Sequence, residues 1–395
     1  MNRRLTEIKK GFYWVGVVDW NLRDFHGFST SKGGTYNAFL LDGDEPILVD
    51  TVKAAFTSEY LTKISSITEL KKIKHLIVNH IEPDHSGAFT EVLKHIPDAT
   101  IYASENAKMG LHRYYEFNRD IKVVHTGDVL HLGNTAVQFV ETPMAHWPDS
   151  MISYLPNKKI LFSSDIFGQL IATSERFDHE IDPPYEDAAL YYANIILPFY
   201  HIVLKTLELL PKFKIQPNLI LPDHGIFWKD HISEIITHYQ SWASGSCASG
   251  ILILYDTMWG STEIMASRIY DTLTAKGIKV RKLHIRSNPL SKIMTEVMYA
   301  KVVLIGTPTI NNTIFPPVGK ILIYMEGLNP GPGRLWGTFG SYGWGGGGVD
   351  YIMRWFKANQ YEIIHDPIES RFRPKEADLK QCDQYANDII KKLRS

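Results

Sequence analysis

The sequence predicts an α/β chain in two parts: stacked sheets flanked by helices over residues 1–245, then a doubly wound parallel sheet over residues 250–395. Three observations predict it. The last third alternates strand and helix signals regularly, the pattern of a parallel sheet with helices on both faces. The first part mixes short β-rich runs with helical stretches and reads as strands in antiparallel order between helices. Between them lies Ser241-Trp242-Ala243-Ser244-Gly245-Ser246-Cys247-Ala248-Ser249-Gly250, small and flexible by composition. It follows an amphipathic stretch, His231 to Tyr239, and precedes a buried-looking strand. A length of 395 residues suits two or three domains.

In the first part, the β-branched and aromatic runs Phe12 to Val18, Thr35 to Leu41, Ile47 to Val49, His75 to Asn79, Ile121 to Val124, Ala136 to Glu141, Met151 to Leu155 and Ile160 to Ser163 predict strands. Thr57 to Ile67 and Ser86 to His95 predict helices, and Glu186 to Leu210 has helical periodicity with few breakers. In the second part, strands are expected at 251–255, 279–284, 302–306, 334–340 and 361–365, with helices at 262–276, 289–298, 316–327 and 349–359 between them. The C-terminal segment is polar and helical by pattern.

Composition excludes several classes. Apolar content is 44%, charged content 22% and net charge −1, so neither nucleic acid nor a membrane surface is an expected partner. No run of about 18 uninterrupted apolar residues predicts a membrane span. The N-terminal MNRRLTEIKKGFYWVGVVDW is basic but has no apolar core of a signal peptide before Gly11. Cys247 and Cys382 are the only cysteines. Two are too few for a disulfide framework or an iron–sulfur centre, and both are expected as free thiols in a reducing cytoplasm.

The stretch VNHIEPDHSG (Val78 to Gly87) places His80, Glu82, Asp84 and His85 within six positions after an apolar run. On a loop at a strand end, that spacing can turn all four heads into one pocket. His146, Asp165 and His224 each lie near a plausible strand end. Four histidines and three carboxylates would serve two metals sharing one carboxylate. Such an oxygen-rich, imidazole-containing set without thiolate suits iron or manganese, and also zinc. Paired metals can clamp both ends of a small bridging molecule. Asp50, after a buried strand, is expected as a structural acid, and Trp147 and Tyr192 can line a pocket or the core.

The second part opens with a strand running into Thr257-Met258-Trp259-Gly260-Ser261-Thr262 and a helix. The helix N-terminus and the hydroxyls suit a phosphate, though an ordinary helix cap uses the same residues. No Gly-x-x-x-x-Gly-Lys and no Gly-x-Gly-x-x-Gly occurs there, which disfavours a triphosphate and a dinucleotide and leaves a monophosphate. Two further loops follow the strands flanking the switch point of the sheet. Pro308, Thr309, Ile310, Asn311 and Asn312 offer amides and a hydroxyl for ring edges. Ser341, Tyr342, Gly343, Trp344 and Gly345 offer close backbone approach and aromatic stacking.

HxExDH, followed by a lone His, an Asp and a His at these spacings, resembles the metallo-β-lactamase fold, whose common hydrolase version has His where Glu82 stands. The glutamate version is similar to the flavodiiron proteins, also called A-type flavoproteins, and the resemblance covers nearly all of the chain. It implies an N-terminal metallo-β-lactamase-like αββα sandwich and a flavodoxin-like domain whose three loops hold FMN. It also implies a diiron centre, with His80, Glu82, His146 and Asp165 on one iron and Asp84, His85, Asp165 and His224 on the other. A carboxylate at position 82 favours ferric over ferrous iron and so suits redox cycling, which zinc cannot do. In that family a histidine near His26 can lie beside the metal pocket, making His26 a candidate catalytic residue. The alternative is a loop histidine bonded to backbone.

The resemblance implies a cytoplasmic reductase of dioxygen, nitric oxide or both. A reduced flavin and a diferrous pair together hold four electrons, enough for O2 to two waters; two NO need two electrons to give N2O. The cysteine count leaves the electron donor external: rubredoxin, an NADH-linked reductase or reduced coenzyme F420 in similar proteins. A head-to-tail homodimer or a dimer of dimers is expected, since it places the flavin of one subunit against the iron of the next. Two rivals remain: a zinc hydrolase or thioesterase fused to a flavodoxin-like module, and an electron-carrying or gas-sensing module without turnover.

Overall fold

The computed structural model describes residues 6–331 and 333–394. Arg3 and Arg4 of the basic N-terminal stretch lie outside the described residues. The chain divides into two compact units, Met1–Tyr192 with Phe199–Gln240, and Ala193–Pro198 with Ser241–Ser395.

The first unit is built on two large sheets, with two short ladders beside them, Val17–Asp19 with Gly34–Tyr36 and Asp24–Phe25 with Phe28–Ser29. One large sheet runs in the order Thr6–Lys9, Phe12–Trp14, Phe39–Leu41, Ile47–Val49, His75–Ile77, Thr100–Ala103, Ile121–Val123. The other runs Val129–Leu132, Thr135–Glu141, Met151–Leu155, Ile160–Ser164, Leu219–Pro222. Phe12, Phe39, Val49 and Ile77 of the first pack with Val137, Phe139, Phe162 and Leu221 of the second in one buried core. The opposite face of the first sheet is covered by Tyr60, Ile64, Phe89, Val92, Ala107 and Leu111 from three helices.

The expected antiparallel order holds only in part. From Ile47–Val49 to Ile121–Val123 the first sheet is parallel. The crossovers carry the helices Thr57–Ser65, Phe89–His95 and Glu105–Tyr114, as parallel pairing requires. The sequence reading missed both Thr100–Ala103 and Glu105–Tyr114. The runs expected as single strands at 12–18 and 35–41 each break in two. At Gly16 the chains come so close that a Cβ would lie 2.4 Å from Tyr36 O. Asn37 leaves the pairing and crosses to the other sheet, its N–H bonding Asp223 O at 2.8 Å and its amide Pro222 O at 2.7 Å. The long helical run is also interrupted: Tyr185–Tyr191 passes through a wider π turn at Tyr192–Ile196 and a tight turn at Leu197–Phe199 before Tyr200–Lys212. Pro198 has no N–H to continue an α pattern. Taken whole, 185–212 is the one stretch among the described residues long and apolar enough to cross a membrane, and 44% of its most apolar window is buried.

The second unit is a parallel sheet in the order Val280–His284, Ile251–Tyr255, Val302–Ile310, Leu335–Tyr342, Glu362–Ile363. That 2-1-3-4-5 order puts the switch point between the first and third strands. The last strand is not the single run expected at 361–365. It comes in two pieces, since Ile368–Arg371 pairs further along Leu335–Tyr342. The seam is less loose than its composition suggests. Helix Ile232–Ser244 runs into it, and buried Trp242 donates from Nε1 to Tyr299 Oη at 3.1 Å. Cys247 and Cys382 are both free thiols.

Candidate metal centre and flavin cavity

The seven residues selected as ligands come together, all buried: His80, Glu82, His146, Asp165 and His224 stand on loops, whereas Asp84 and His85, expected on a loop, stand on the short helix Pro83–Ser86. His146 Nε2 lies 3.0 Å from Asp165 Oδ2 and 3.2 Å from Glu82 Oε2, and His80 Nε2 lies 3.3 and 3.4 Å from the same two oxygens. On the other side of Asp165, Oδ1 is 3.4 Å from His224 Nε2 and 3.5 Å from His85 Nε2. Asp84 Oδ2 is 3.4 Å from both nitrogens, which themselves stand 3.1 Å apart. Asp165 thus faces one group with each oxygen.

These contacts are poor as hydrogen bonds and good as a coordination shell. Both oxygens of Asp84 and of Asp165 are buried without a hydrogen bond of acceptable geometry, although imidazole nitrogens approach them closely. Ligand atoms about 2.1 Å from one ion stand about 3.0 Å apart at right angles and about 3.4 Å apart in a tetrahedron. The donor set fits two metal ions. It contains no sulfur, so iron, manganese and zinc all remain chemically admissible.

Surrounding groups fix the imidazoles. His80 donates from Nδ1 to Asp149 Oδ2 at 3.0 Å, and the same oxygen accepts the Ile81 N–H at 2.9 Å. His224 donates from Nδ1 to Thr35 O at 2.7 Å. Each bond turns Nε2 toward the centre. Burial works against charging His85 and His146, but the carboxylates outweigh it. Asp84 and Asp223 lead for His85 and push it up to about 10; Asp165 and Glu82 push His146 up to about 9. Burial likewise opposes ionisation of Asp165, yet His146 and His85 hold its carboxyl well below the usual range. Asp50 serves as expected of a structural acid, accepting the Asn79 N–H at 2.7 Å and the Asn79 amide at 2.8 Å.

His26 does not bond to backbone. Its Nε2 donates to Glu82 Oε1 at 2.6 Å, its ring stacks on Phe25 at 4.5 Å, and it sits at φ +50° in the hairpin of Asp24–Phe25 with Phe28–Ser29. Glu82 is therefore shared, one oxygen toward the centre and one toward His26. Trp147 meets the His80 ring edge-on at 5.5 Å. Tyr192 packs instead against Tyr239, and its neighbour Tyr191 is the tyrosine at the centre, 5.7 Å from the His224 ring with its buried hydroxyl lacking a hydrogen-bond partner. The sequence reading missed Asp149, Tyr191 and Asp223. The signal for Asp223 was its place in an Asp-His pair like Asp84-His85. Its two oxygens are buried without partners, and it groups with His85 and Asp165.

In the second unit the three selected loops enclose a cavity of about 400 Å³, within the range of small-molecule sites. Thr257, Met258, Trp259, Ser261, Pro308, Thr309, Asn311, Asn312, Ser341, Tyr342, Gly343, Trp344 and Gly345 line it, together with Phe372 and Arg373, which were not anticipated. Gly260, Thr262 and Ile310 do not. Gly260 precedes the helix Ser261–Ala275 at φ +84°, Thr262 is buried and shares a hydrogen with Ser341 Oγ at 2.8 Å, and Ile310 ends its strand. The glycines answer to the protein itself: a Cβ on Gly345 would lie 2.5 Å from Asn312 Oδ1, and one on Gly347 2.2 Å from Asn312 O. Trp259 and Trp344 stand 91% and 85% exposed at the cavity. A helix N-terminus with hydroxyls beside it and exposed aromatic rings in the lining fits a flavin mononucleotide.

Comparison with known proteins matches two families to successive parts of the chain. A family model described as ODP family beta lactamase matches residues 35–225, and one described as Flavodoxin matches residues 253–385. The chain is 40% identical over 394 residues to a nitric oxide reductase of Moorella thermoacetica, covering 98% of each. The structure of rubredoxin oxygen:oxidoreductase from Desulfovibrio gigas superposes with a TM-score of 0.94 at 36% identity, covering 99% of both chains. That of the flavodiiron protein from Giardia intestinalis gives 0.94 at 30% identity, covering 99% of this chain and 98% of the other.

Proposed function

The chain belongs to the flavodiiron proteins, and we propose from that premise that it reduces dioxygen to water, nitric oxide to nitrous oxide, or both, with electrons from an external donor. FMN and a diiron centre are its cofactors. The observation that carries the reading is Asp165, whose two oxygens face two separate groups of ligand atoms, with Glu82 among them. We assign His80, Glu82 and His146 to one ion, Asp84, His85 and His224 to the other, and Asp165 to both. When bound, the metal pair supplies redox change and two adjacent positions for a diatomic gas, and FMN supplies it with electrons.

The chain's own groups prepare that chemistry. Asp149 and Thr35 hold the tautomers of His80 and His224. Phe25 covers the centre, with its ring edge-on to His224 at 5.5 Å. His26 holds a proton at Nε2 against Glu82 Oε1, where it can serve a product oxygen that needs one. Trp259 and Trp344 line the flavin cavity and offer it aromatic faces.

The donor class includes rubredoxin, an NADH-linked reductase and reduced coenzyme F420. We infer a cytoplasmic protein that works as a head-to-tail homodimer or a dimer of such dimers. Mixing an Asp165→Ala subunit with a flavin-deficient subunit then restores activity; mixed dimers that form and stay inactive refute that arrangement. The decisive test of the function is anaerobic stopped-flow of the fully reduced protein against O2 and against NO, following flavin absorbance. Reoxidation by O2 alone marks an oxygen scavenger, and reoxidation by NO with N2O formed marks a nitric oxide reductase. Reoxidation by neither gas, with zinc at full occupancy and ester hydrolysis, would turn the assignment to the hydrolase.

A further inference from the structure

Asp256 stands between the strand Ile251–Tyr255 and the hydroxyl-rich turn that opens the flavin cavity. It is fully buried, and it is a negative charge at the end of the sheet where a phosphate dianion belongs on the FMN reading. Arg286 meets it from the neighbouring strand's end. Its Nε lies 2.9 and 3.1 Å from the two carboxylate oxygens, and its Nη2 lies 2.8 Å from Oδ1. The same Nη2 donates to Thr257 O at 2.7 Å, while the Thr257 N–H donates to Asp256 Oδ1 at 2.7 Å. His284 Nε2 comes within 3.3 Å of that oxygen. Thr257 in turn accepts the Gly260 N–H on Oγ1 at 3.0 Å and lines the cavity.

We propose that Arg286 is a positioning residue for the FMN phosphate: it cancels the buried charge of Asp256 and pins the turn at Thr257, instead of spending its own charge on the phosphate. The inference rests on FMN as the occupant. Its guanidinium is already committed to a carboxylate and a carbonyl, in the planar fork that Arg alone offers. The turn is left to bind phosphate through its hydroxyls and the helix N-terminus, which are neutral donors. Removal of Arg286 alone exposes a dianion to a buried carboxylate whose remaining neighbours are His284 Nε2 and the Thr257 N–H. A flavin without phosphate would hardly notice.

The test uses the full-length chain stripped of flavin and titrated with FMN and with riboflavin, read by quenching of flavin fluorescence. Arg286→Ala weakens FMN by about tenfold or more, the scale of one charge-assisted interaction, and changes riboflavin affinity by less than about twofold. Adding Asp256→Asn to Arg286→Ala returns most of the FMN affinity, because the like charge leaves with its counter-ion. Arg286→Lys, which keeps the charge but loses the fork that reaches both Asp256 and Thr257 O, gives an FMN affinity between those of the wild type and Arg286→Ala. Equal weakening of both flavins, an unchanged Arg286→Ala, or a double variant as weak as the single one overturns the proposal. A wild-type chain that takes up neither flavin overturns the cofactor reading itself.

Discussion

Asp149 offers the sharpest perturbation of the metal centre, because it touches no ligand atom and yet orients one. A single buried oxygen, Oδ2, accepts from His80 Nδ1 at 3.0 Å and from the Ile81 N–H at 2.9 Å. The other oxygen is buried without a partner. Asp149→Asn keeps the shape and one accepting oxygen but removes the charge. Charged acceptors contribute about 1 kcal/mol more per hydrogen bond than neutral ones, so two bonds predict a loss of about 2 kcal/mol. That corresponds to roughly 30-fold in iron affinity, inside the range of about 10–100-fold for partners of metal-bound histidines. Asp149→Ala strands both donors in the interior at about 1–3 kcal/mol each. It should lower both iron retention and the urea midpoint of the first unit, whereas Asn acts mainly on iron. Iron content after graded chelator exposure, read beside urea unfolding, separates the two. If both variants keep wild-type iron and wild-type midpoints, the orienting role of Asp149 is refuted.

Gly347 sits at φ +130°, and a Cβ there would lie 2.2 Å from Asn312 O; Gly347→Ala should destabilise the flavin unit by about 1–3 kcal/mol and lower the FMN content of purified protein. Trp344→Ala removes a ring that is 85% exposed, so unfolding should barely change while FMN affinity falls by about 2- to 10-fold in a fluorescence titration. In the metal-free chain, His85 and His146 are pushed up to about 10 and about 9 from 6.5. Their protonation therefore favours the fold fully below 6.5, and that contribution fades as pH rises through 9 to 10. A metal must displace those protons, so ferrous-ion affinity should strengthen from pH 7 to 10 by up to about tenfold per unit for each proton displaced; pH-independent affinity in chelator competition would refute it.

What the sequence made legible was chemistry packed into short spans. His80 to His85 could be read as one pocket because four ligating side chains leave few other reasons for so many charges after an apolar run. The flavin loops were legible because strand–helix alternation fixes where loops fall in a parallel sheet. What stayed hidden depends on contacts distant in sequence. Asp149 acts on His80 across 69 residues, and His26 reaches Glu82 across 56. Nothing local distinguishes Tyr191 from Tyr192; a π turn beginning at 192 decides which ring faces the centre. The strand breaks at Gly16 and Asn37 also come from tertiary contact, since the local residues suit uninterrupted strands.

Asn37 shows why such a break belongs to the function. By leaving its strand it bonds Pro222 O, Gly225 O and, through its N–H, Asp223 O. Thr35, two residues earlier, accepts His224 Nδ1 on its carbonyl and the Gly225 N–H on its hydroxyl. One short segment leading into the first sheet therefore clamps the whole Pro222-to-Gly225 turn at the end of a strand of the second, and with it the orientation of His224, assigned above to one of the two ions. The gap between two stacked sheets is otherwise set by apolar packing, which is non-directional. Directional bonds across that gap set the distance of His224 from Asp84, His85 and Asp165, three residues that reach the centre from elsewhere in the chain. A pair of metal ions requires that distance to hold within a few tenths of an ångström, and hydrophobic contact alone does not specify it.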